Sequence, residues 1–597
     1  MVLDFDAVLE DVGQFGLYQK FVVYLLCLPG CFMNAFGVAF VFLGYTPNFL
    51  CVPDHRNESE PGDYWNWTDP ILLRACKYKD DEEIGVSVGG NQSWHECNRF
   101  VYDQEYFKST VVTQWDLVCD RAIYPKTMMS LHSLVTLFGC LINSYFQDMW
   151  GRKVAFFIVL TSNMIGGISS VFAPNFLTYA ILRSFMAFSS TSTWNVSYTW
   201  ALEYVGPSKR TMVTMIMCVL YGVAVVVVGG LAWLCDTWTK LTLAGSVPFL
   251  LLYSFAFLID ESPRWLISKG RNQEALKTVR KMAKWEKKTL NEELVRKLLD
   301  TSGHEGTAAG DHASADDSLD SRQLTKEHRL DHGSDHESRK IEQPSTNLQR
   351  KPRIQDLFRT RNLRWKTCLI TYGWAANLLT YLAIAYNMEN LKGNLFVTYT
   401  LQAAVEIPAG LVIVFLLDRY GRIPPLSISM IACGILLFCA VPVDSLDLNP
   451  WIIVTLTLAA KFGITLSFGV LVQLAGESYP TQLRGVGTGF SSFVGTLGST
   501  IMPYVVHSAK IYKMLPMILM GTAAATSGIS VLALPETKGR YMPETVAEAE
   551  RGESVGYAAL KENWAAMQCC SRREYKAVKT TEARKSSKNG TLESDGL

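Results

Sequence analysis

Four long stretches of this chain carry none of the four fully charged residue types. Residues 154–182, 212–235, 423–443 and 485–509 contain no Asp, Glu, Lys or Arg. About 20 apolar residues are enough for a helix to cross the hydrocarbon core of a bilayer. Composition agrees: 49% of the 597 residues are hydrophobic and only 19% are charged, against about 25% charged in an average soluble protein. Length alone would allow about four soluble domains. The uncharged runs exclude a soluble enzyme, a fibrous protein and a disordered protein. The net charge of +1 provides no overall field for nucleic acid.

Twelve apolar runs are expected to cross the membrane. They lie near 21–46, 127–147, 154–173, 176–198, 212–234, 241–259, 367–388, 394–417, 424–443, 451–474, 485–507 and 514–534. Without water, every backbone polar group in them must be bonded internally, so they are expected to be helices. The alternating pattern of an outer-membrane barrel is absent. The fold class is an all-α membrane protein. The first twenty residues hold Asp4, Asp6, Glu10 and Asp11, where a cleavable signal would be basic and then apolar.

Lys and Arg in the short loops set the orientation. One side holds Arg152, Lys153, Lys209, Arg210, Arg419, Arg422 and Arg484; the other holds Lys240, Lys392, Lys510 and Lys513. This bias puts residues 1–20, the 260–366 loop and the 535–597 tail in the cytoplasm. Loop 47–126 then faces outside. It carries three Asn-x-Ser/Thr sequons, at Asn57, Asn66 and Asn91, expected to be glycosylated. It also carries Cys51, Cys76, Cys97 and Cys119, an even set that can close two disulfides in an oxidising space. Three pairings are open. The combination implies a eukaryotic secretory-pathway or plasma-membrane protein. Within the cytoplasmic loop, 271–300 has helical spacing. Residues 301–350 are polar enough to be disordered, and their histidines read as a solvated linker rather than a metal site.

The chain repeats itself. Asp148, Gly151 and Arg152 follow the second run, and Asp418, Gly421 and Arg422 follow the eighth. Glu203 and Arg210 frame the loop after the fourth run as Glu477 and Arg484 frame that after the tenth. Glu261 closes the sixth run and Glu536 the twelfth. Duplicated halves joined by a long loop are the sequence sign of a carrier made of two rocking bundles, here 21–259 and 367–534. Gly permits a tight turn, while Asp, Glu and Arg can form charge-assisted bonds across helix ends. These ten charged residues are expected to gate the inner side. The competing reading is that they only fix topology and loop shape.

At these motifs the chain resembles the major facilitator superfamily. Within it, the chain resembles the organic cation/anion/carnitine transporter family, with insect-type carcinine, β-alanine and organic cation carriers among its members. The outer loop ending in Gln114-Trp-Asp-Leu-Val-Cys119-Asp120 carries the likeness. So do Trp194 with Tyr198-Thr199, Glu203-Tyr-Val-Gly206, Val405-Glu-Ile-Pro408 and Glu477-Ser-Tyr-Pro480. The likeness covers nearly the whole chain except 301–350 and the tail. It implies two pseudo-symmetric six-helix bundles.

Charge inside a span is costly and therefore a functional candidate. Arg183 lies in the fourth run, Glu406 in the eighth and Lys461 in the tenth. Arg183 can brace the bundle by pairing with an acidic neighbour. Glu406 and Lys461 can form a structural pair. Alternatively they point separately into a wet cavity, Glu406 toward an ammonium and Lys461 toward a carboxylate. Trp374 and Tyr381 share one helix face, as do Trp194 and Tyr198, and each such ring attracts a cation by about 0.5–2 kcal/mol. Asn34 is a further polar candidate. The resemblance implies an acid at 406, a base at 461 and aromatics at these four positions lining the central cavity. Three positions depart from the family: Ser499 replaces the cation members' Asp, Thr496 lies where anion members have Arg, and Thr191 replaces a Lys. A zwitterionic or small amine substrate is therefore as well matched as a simple organic cation.

No phosphate loop, nucleophile elbow, zinc-helix or paired-cysteine motif is present in the sequence, so neither an enzyme nor a cofactor or metal is expected. Energy for transport must come from gradients. A monocation gains about 2.3 kcal/mol per 100 mV, enough for roughly fiftyfold accumulation. A zwitterion needs Na⁺, H⁺ or exchange. The expectation is an alternating-access uptake carrier for amines of the carnitine, monoamine, β-alanine or carcinine type. Its alternatives are an organic anion exchanger or a non-transporting sensor with the same fold.

Overall fold

The computed structural model describes residues 5–52, 76–79, 94–206, 209–289, 354–390, 394–446, 449–480 and 483–538, with single positions at 550, 556, 559 and 563. The first half is built from α1 (Leu17–Val38), α2 (Ile123–Trp150), α3 (Arg152–Ser170), α4 (Phe176–Glu203), α5 (Arg210–Leu234) and α6 (Trp238–Ala244). The second is built from α7 (Arg361–Tyr386), α8 (Leu395–Tyr420), α9 (Ile423–Ser445), α10 (Pro450–Ser478), α11 (Arg484–His507) and α12 (Leu515–Val531). Among the described residues, eight helices are long and apolar enough to cross a membrane. The other four each have a reason to score lower. Helix α4 carries Arg183, α11 is rich in Gly, Ser and Thr, α12 has 17 residues and α6 is short.

The burial pattern is that of a protein dissolved in lipid. Leu411 is 53% exposed and Ile435 54%, whereas Asn163, Ser197 and Asn377 are fully buried. Apolar side chains face outward because acyl chains, not water, receive them; polar side chains turn inward, away from the lipid.

Two runs fold less simply than expected. The first run bends after Val38, and a one-turn helix Phe40–Leu43 continues it. The sixth run is not one α-helix. Beyond α6 it passes through a 3-10 stretch, Val247–Ser254, into the short helix Phe255–Leu258. Pro248 causes the break, because its ring removes a donor and clashes with the preceding turn.

Between α1 and α2, β1 (Phe49–Val52) pairs antiparallel with β4 (Arg99–Tyr102), and β2 (Lys77–Lys79) pairs with β3 (Trp94–Glu96). Cys51 is bonded to Cys97 and Cys76 to Cys119, one of the three pairings the sequence leaves open. Asn57, Asn66 and Asn91, together with 301–350, lie outside the described residues. The loop is tied to the sixth segment. The Lys108 amide donates to the Asp236 carbonyl at 2.8 Å, and the Trp238 amide donates to Ser109 at 3.0 Å. Asp236 also accepts from Lys240 and pairs with Lys108 at 2.9 Å. Those two ammonium groups, Lys240 foremost, hold its carboxyl down at about 2.

At the opposite end, helix Asn272–Trp285 docks on α1. Lys281 pairs with Asp260 at 2.7 Å, and Asp260 also accepts from Tyr18 at 3.1 Å. The Glu286 carboxylate caps the Leu17 amide at the start of α1.

The halves meet along two helix pairs, α5 with α8 and α2 with α11. Gly222 of α5 faces Ile407 and Glu406 of α8, so a residue without a side chain lets the two backbones approach. Across the second pair, Ser130 donates to the Thr500 carbonyl at 2.8 Å.

Candidate functional site: a buried ionic and aromatic cluster between the halves

Glu406 and Lys461 lie near the midpoints of α8 and α10. Their side chains are 5% and 3% exposed, and Lys461 Nζ lies 3.0 Å from Glu406 Oε1. The Tyr381 hydroxyl of α7 donates to the same oxygen at 2.6 Å. Lys461 also stands over the Tyr381 ring, 3.2 Å from its centroid. Three helices of the second half thus place an acid, a base and an aromatic face at one point. The pair, left open by the sequence, is formed in this state.

Phe468 of α10 organises the rest. Its ring stacks on Tyr381 at 6.4 Å and meets Trp374 edge to face at 5.5 Å. Trp374 and Tyr381 share a face of α7, as their spacing requires. From the first half, Tyr221 on α5 is a side-chain partner of Tyr381. Trp194 packs edge to face on Tyr221 at 5.7 Å. A chain of rings therefore runs from α4 through α5 to the Glu406 carboxylate. The Tyr198 hydroxyl bonds Thr214 at 2.9 Å instead, and Asn34 is half-buried on α1. Among the described contacts, neither Asn34 nor Tyr198 touches Glu406 or Lys461.

Sequence reasoning missed Phe468, Tyr221, Tyr399 and Gln402. Gln402 lies one turn before Glu406 on the same face of α8. It is 3% exposed, and neither atom of its amide has a hydrogen-bond partner. The Tyr399 hydroxyl and the Trp374 indole N–H are likewise buried without a partner. Buried polar groups normally find partners, so a set of open donors and acceptors around an ion pair is suited to receiving a polar guest. The i, i+4 spacing of Gln402 and Glu406 was the available signal.

Beyond the cluster, rings join the two halves at the loop end. Phe42 lies 4.5 Å from Tyr399 and 5.7 Å from Phe396, while Phe107 lies 5.4 Å from Phe396. At the other end, ionic networks form inside each half. Arg152 donates a fork of bonds to Glu203 at 2.7–3.0 Å, and a third bond to the Gln147 carbonyl at 2.8 Å. Asp148 lies 3.3 Å from Arg152 and is 76% exposed. Glu261 accepts from the Arg152 amide at 3.0 Å and the Lys153 amide at 3.1 Å, capping α3. Burial raises the Glu261 carboxyl above its ordinary range, against the pull of those amides and the Arg152 charge.

The second half repeats this arrangement. Arg422 forks onto Glu477 at 2.8 and 2.9 Å. Glu536 accepts from the Arg422 amide at 2.9 Å and the Ile423 amide at 3.0 Å. Gly151 and Gly421 turn with φ of +99° and +91°, a region that L side chains rarely adopt. A Cβ on Gly421 would lie 2.7 Å from Glu536 Oε2, and one on Gly151 would strike Glu261. Arg210 and Arg484 open α5 and α11 at the same end. The Asp418 side chain lies outside the described residues.

The Major Facilitator Superfamily profile matches residues 113–503. An organic cation transporter protein of Drosophila melanogaster is 33% identical over 563 residues, 93% of this chain and 95% of that protein. A beta-alanine transporter of the same organism is 31% identical over 94% of this chain and 90% of its own length. Among solved structures, the partially occluded inward open conformation of the xylose transporter XylE from E. coli superposes with a TM-score of 0.53. That likeness covers 89% of this chain and 100% of the other, at 12% identity, and shows the fold. On the profile match and these near full-length relatives, the chain belongs to the major facilitator superfamily and, within it, to the organic cation/anion/carnitine transporter family.

Proposed function

We propose that this protein is an alternating-access carrier that takes up small organic cations or zwitterionic amines across the plasma membrane. The observation that carries the reading is the Glu406–Lys461–Tyr381 cluster, a buried charge pair under an aromatic face with unpartnered polar groups beside it. An ammonium entering from one side takes the Glu406 carboxylate and the rings of Tyr381 and Trp374. A carboxylate on the same guest takes Lys461. A zwitterionic guest replaces the protein's own pair, so that each charge stays compensated, as a low-dielectric site demands. The relatives' names, organic cation and beta-alanine transporter, belong to the same chemistry.

Glu203, Glu261, Glu477 and Glu536, with Arg152 and Arg422, hold the helix ends of each half rigid while the halves rock. Asp148, Asp418, Arg210 and Arg484 take part in closing that end, which faces the cytoplasm with both termini. The rings of Phe42, Phe396 and Tyr399 form the outer seal. The disulfide loop faces outside and carries glycans at Asn57, Asn66 and Asn91. A monocation needs only the membrane potential, whereas a zwitterion needs co-transported Na⁺ or H⁺, or exchange.

Uptake of labelled choline-like cations, β-alanine and carcinine, measured under voltage clamp with and without Na⁺, tests this reading. Saturable flux of at least one amine supports it. Ligand binding without flux for every compound would establish a sensor instead.

A further inference from the structure

Arg183 is a second buried charge, away from the ion pair and, among the described residues, without a counter-ion. Its side chain lies on α4, seven residues after Phe176, so about 10 Å from the helix start at the loop end. The residue is 2% exposed. Its Nε–H is fully buried with no acceptor, and among the described residues no carboxylate pairs with it. A guanidinium does not lose its proton in a protein. A buried, unpaired charge is strongly unfavourable, so the guanidinium favours a negative group beside it.

The surroundings fit a small anion and not a protein acid. The electrostatic neighbours of Arg183 are His132 of α2 and Tyr179, one turn earlier on α4. The Phe40 ring covers the guanidinium at 5.8 Å. Tyr179 is 0% exposed, and its hydroxyl has no hydrogen-bond partner. Trp238 stands edge-on to Tyr179 at 5.3 Å, and its indole N–H is also buried and unpartnered. A guanidinium, a phenol and an indole all offer N–H or O–H donors here, and none has a protein acceptor. Aromatic edges are the positive side of their rings and add to the same preference.

We propose that Arg183, Tyr179 and Trp238 form a site for one small monovalent anionic group in the outer half of the first bundle. The group is a free halide such as chloride. It supplies the counter-charge that the sequence around Arg183 lacks.

The test uses the full chain purified in lipid nanodiscs. Its thermal midpoint is followed in sodium gluconate, an anion too bulky for an enclosed site, as chloride replaces gluconate at constant ionic strength. The site predicts a saturable rise with chloride. Arg183→Lys keeps the charge and should retain the rise with weaker half-saturation. Arg183→Leu should lose it. Bromide anomalous scattering from crystals of the unaltered protein locates a halide without any variant. No rise with chloride, or a chloride rise that Arg183→Leu retains in full, overturns the proposal. So does a saturable chloride rise with the bromide peak away from Arg183.

Discussion

The Lys461 ammonium is 3.0 Å from the Glu406 carboxylate and, at the same time, 3.2 Å from the centre of the Tyr381 ring that donates its hydroxyl to that carboxylate. The protein thus holds its own cation in the kind of acid-and-ring clamp that an organic ammonium would use. On the proposed function, Lys461 is a tethered stand-in for the cargo.

This relationship separates stability from transport. Glu406→Gln leaves Lys461 buried without a counter-charge, a loss of about 3–5 kcal/mol when one partner of a buried pair is removed. The thermal midpoint should fall and amine uptake should vanish. The double variant Glu406→Gln with Lys461→Gln removes both charges and should recover much of the midpoint but none of the uptake. Uptake that returns with the midpoint would make the pair a structural brace. The readouts are melting in nanodiscs and labelled uptake normalised to surface protein.

Lys461→Ala should discriminate between cargoes. A zwitterion loses its carboxylate partner, whereas a simple cation meets a Glu406 freed from competition. Uptake of β-alanine should fall at least tenfold, about the 1.4 kcal/mol or more that a charge-assisted bond contributes. Uptake of a quaternary amine should fall much less. Equal losses in parallel uptake assays would contradict separate roles.

The duplicated turns should respond alike. Gly151→Ala and Gly421→Ala each place a Cβ at positive φ against a glutamate that caps the next helix. Both should lower stability, by roughly 1–3 kcal/mol for the backbone strain, and both should reduce uptake. Arg152→Lys replaces a fork by a point charge and should slow uptake while surface protein persists. A variant that is silent in one half and damaging in the other would break the pseudo-symmetry.

Much of this architecture was legible in the sequence, because apolar runs in lipid leave a signal that no tertiary contact overrides. The repeated Asp-x-x-Gly-Arg turns were legible for the same reason that they recur: each marks the same position in its half. Other features gave no such signal. Nothing in the spacing of Cys51, Cys76, Cys97 and Cys119 prefers one pairing. Pro248 was visible, but its conversion of the sixth run into a 3-10 stretch depends on packing. Phe468 is a single neutral residue in an apolar helix, where only the three-dimensional neighbourhood of Tyr381 and Trp374 distinguishes it. Glu261 and Glu536 each accept amides at the start of a helix, a contact that their spacing alone does not specify.

The outer ionic tie has a defined pH behaviour. Lys240 and Lys108 hold the half-buried Asp236 carboxyl at about 2, below its ordinary 3.8. A depressed folded-state value means that its contribution is present above the ordinary value and is lost as pH falls from there toward 2. The midpoint difference between the natural protein and Asp236→Asn should therefore be constant from pH 8 to about 5 and shrink only below about 4. A difference that changes near pH 6–7 would assign that titration to another group.

The central claim is tested most directly by a structure of the protein with a transported amine bound. The account predicts the guest's ammonium at hydrogen-bond distance from Glu406, against the rings of Tyr381 and Trp374, with the Glu406–Lys461 contact opened. An amine bound elsewhere, with that contact intact, would contradict it.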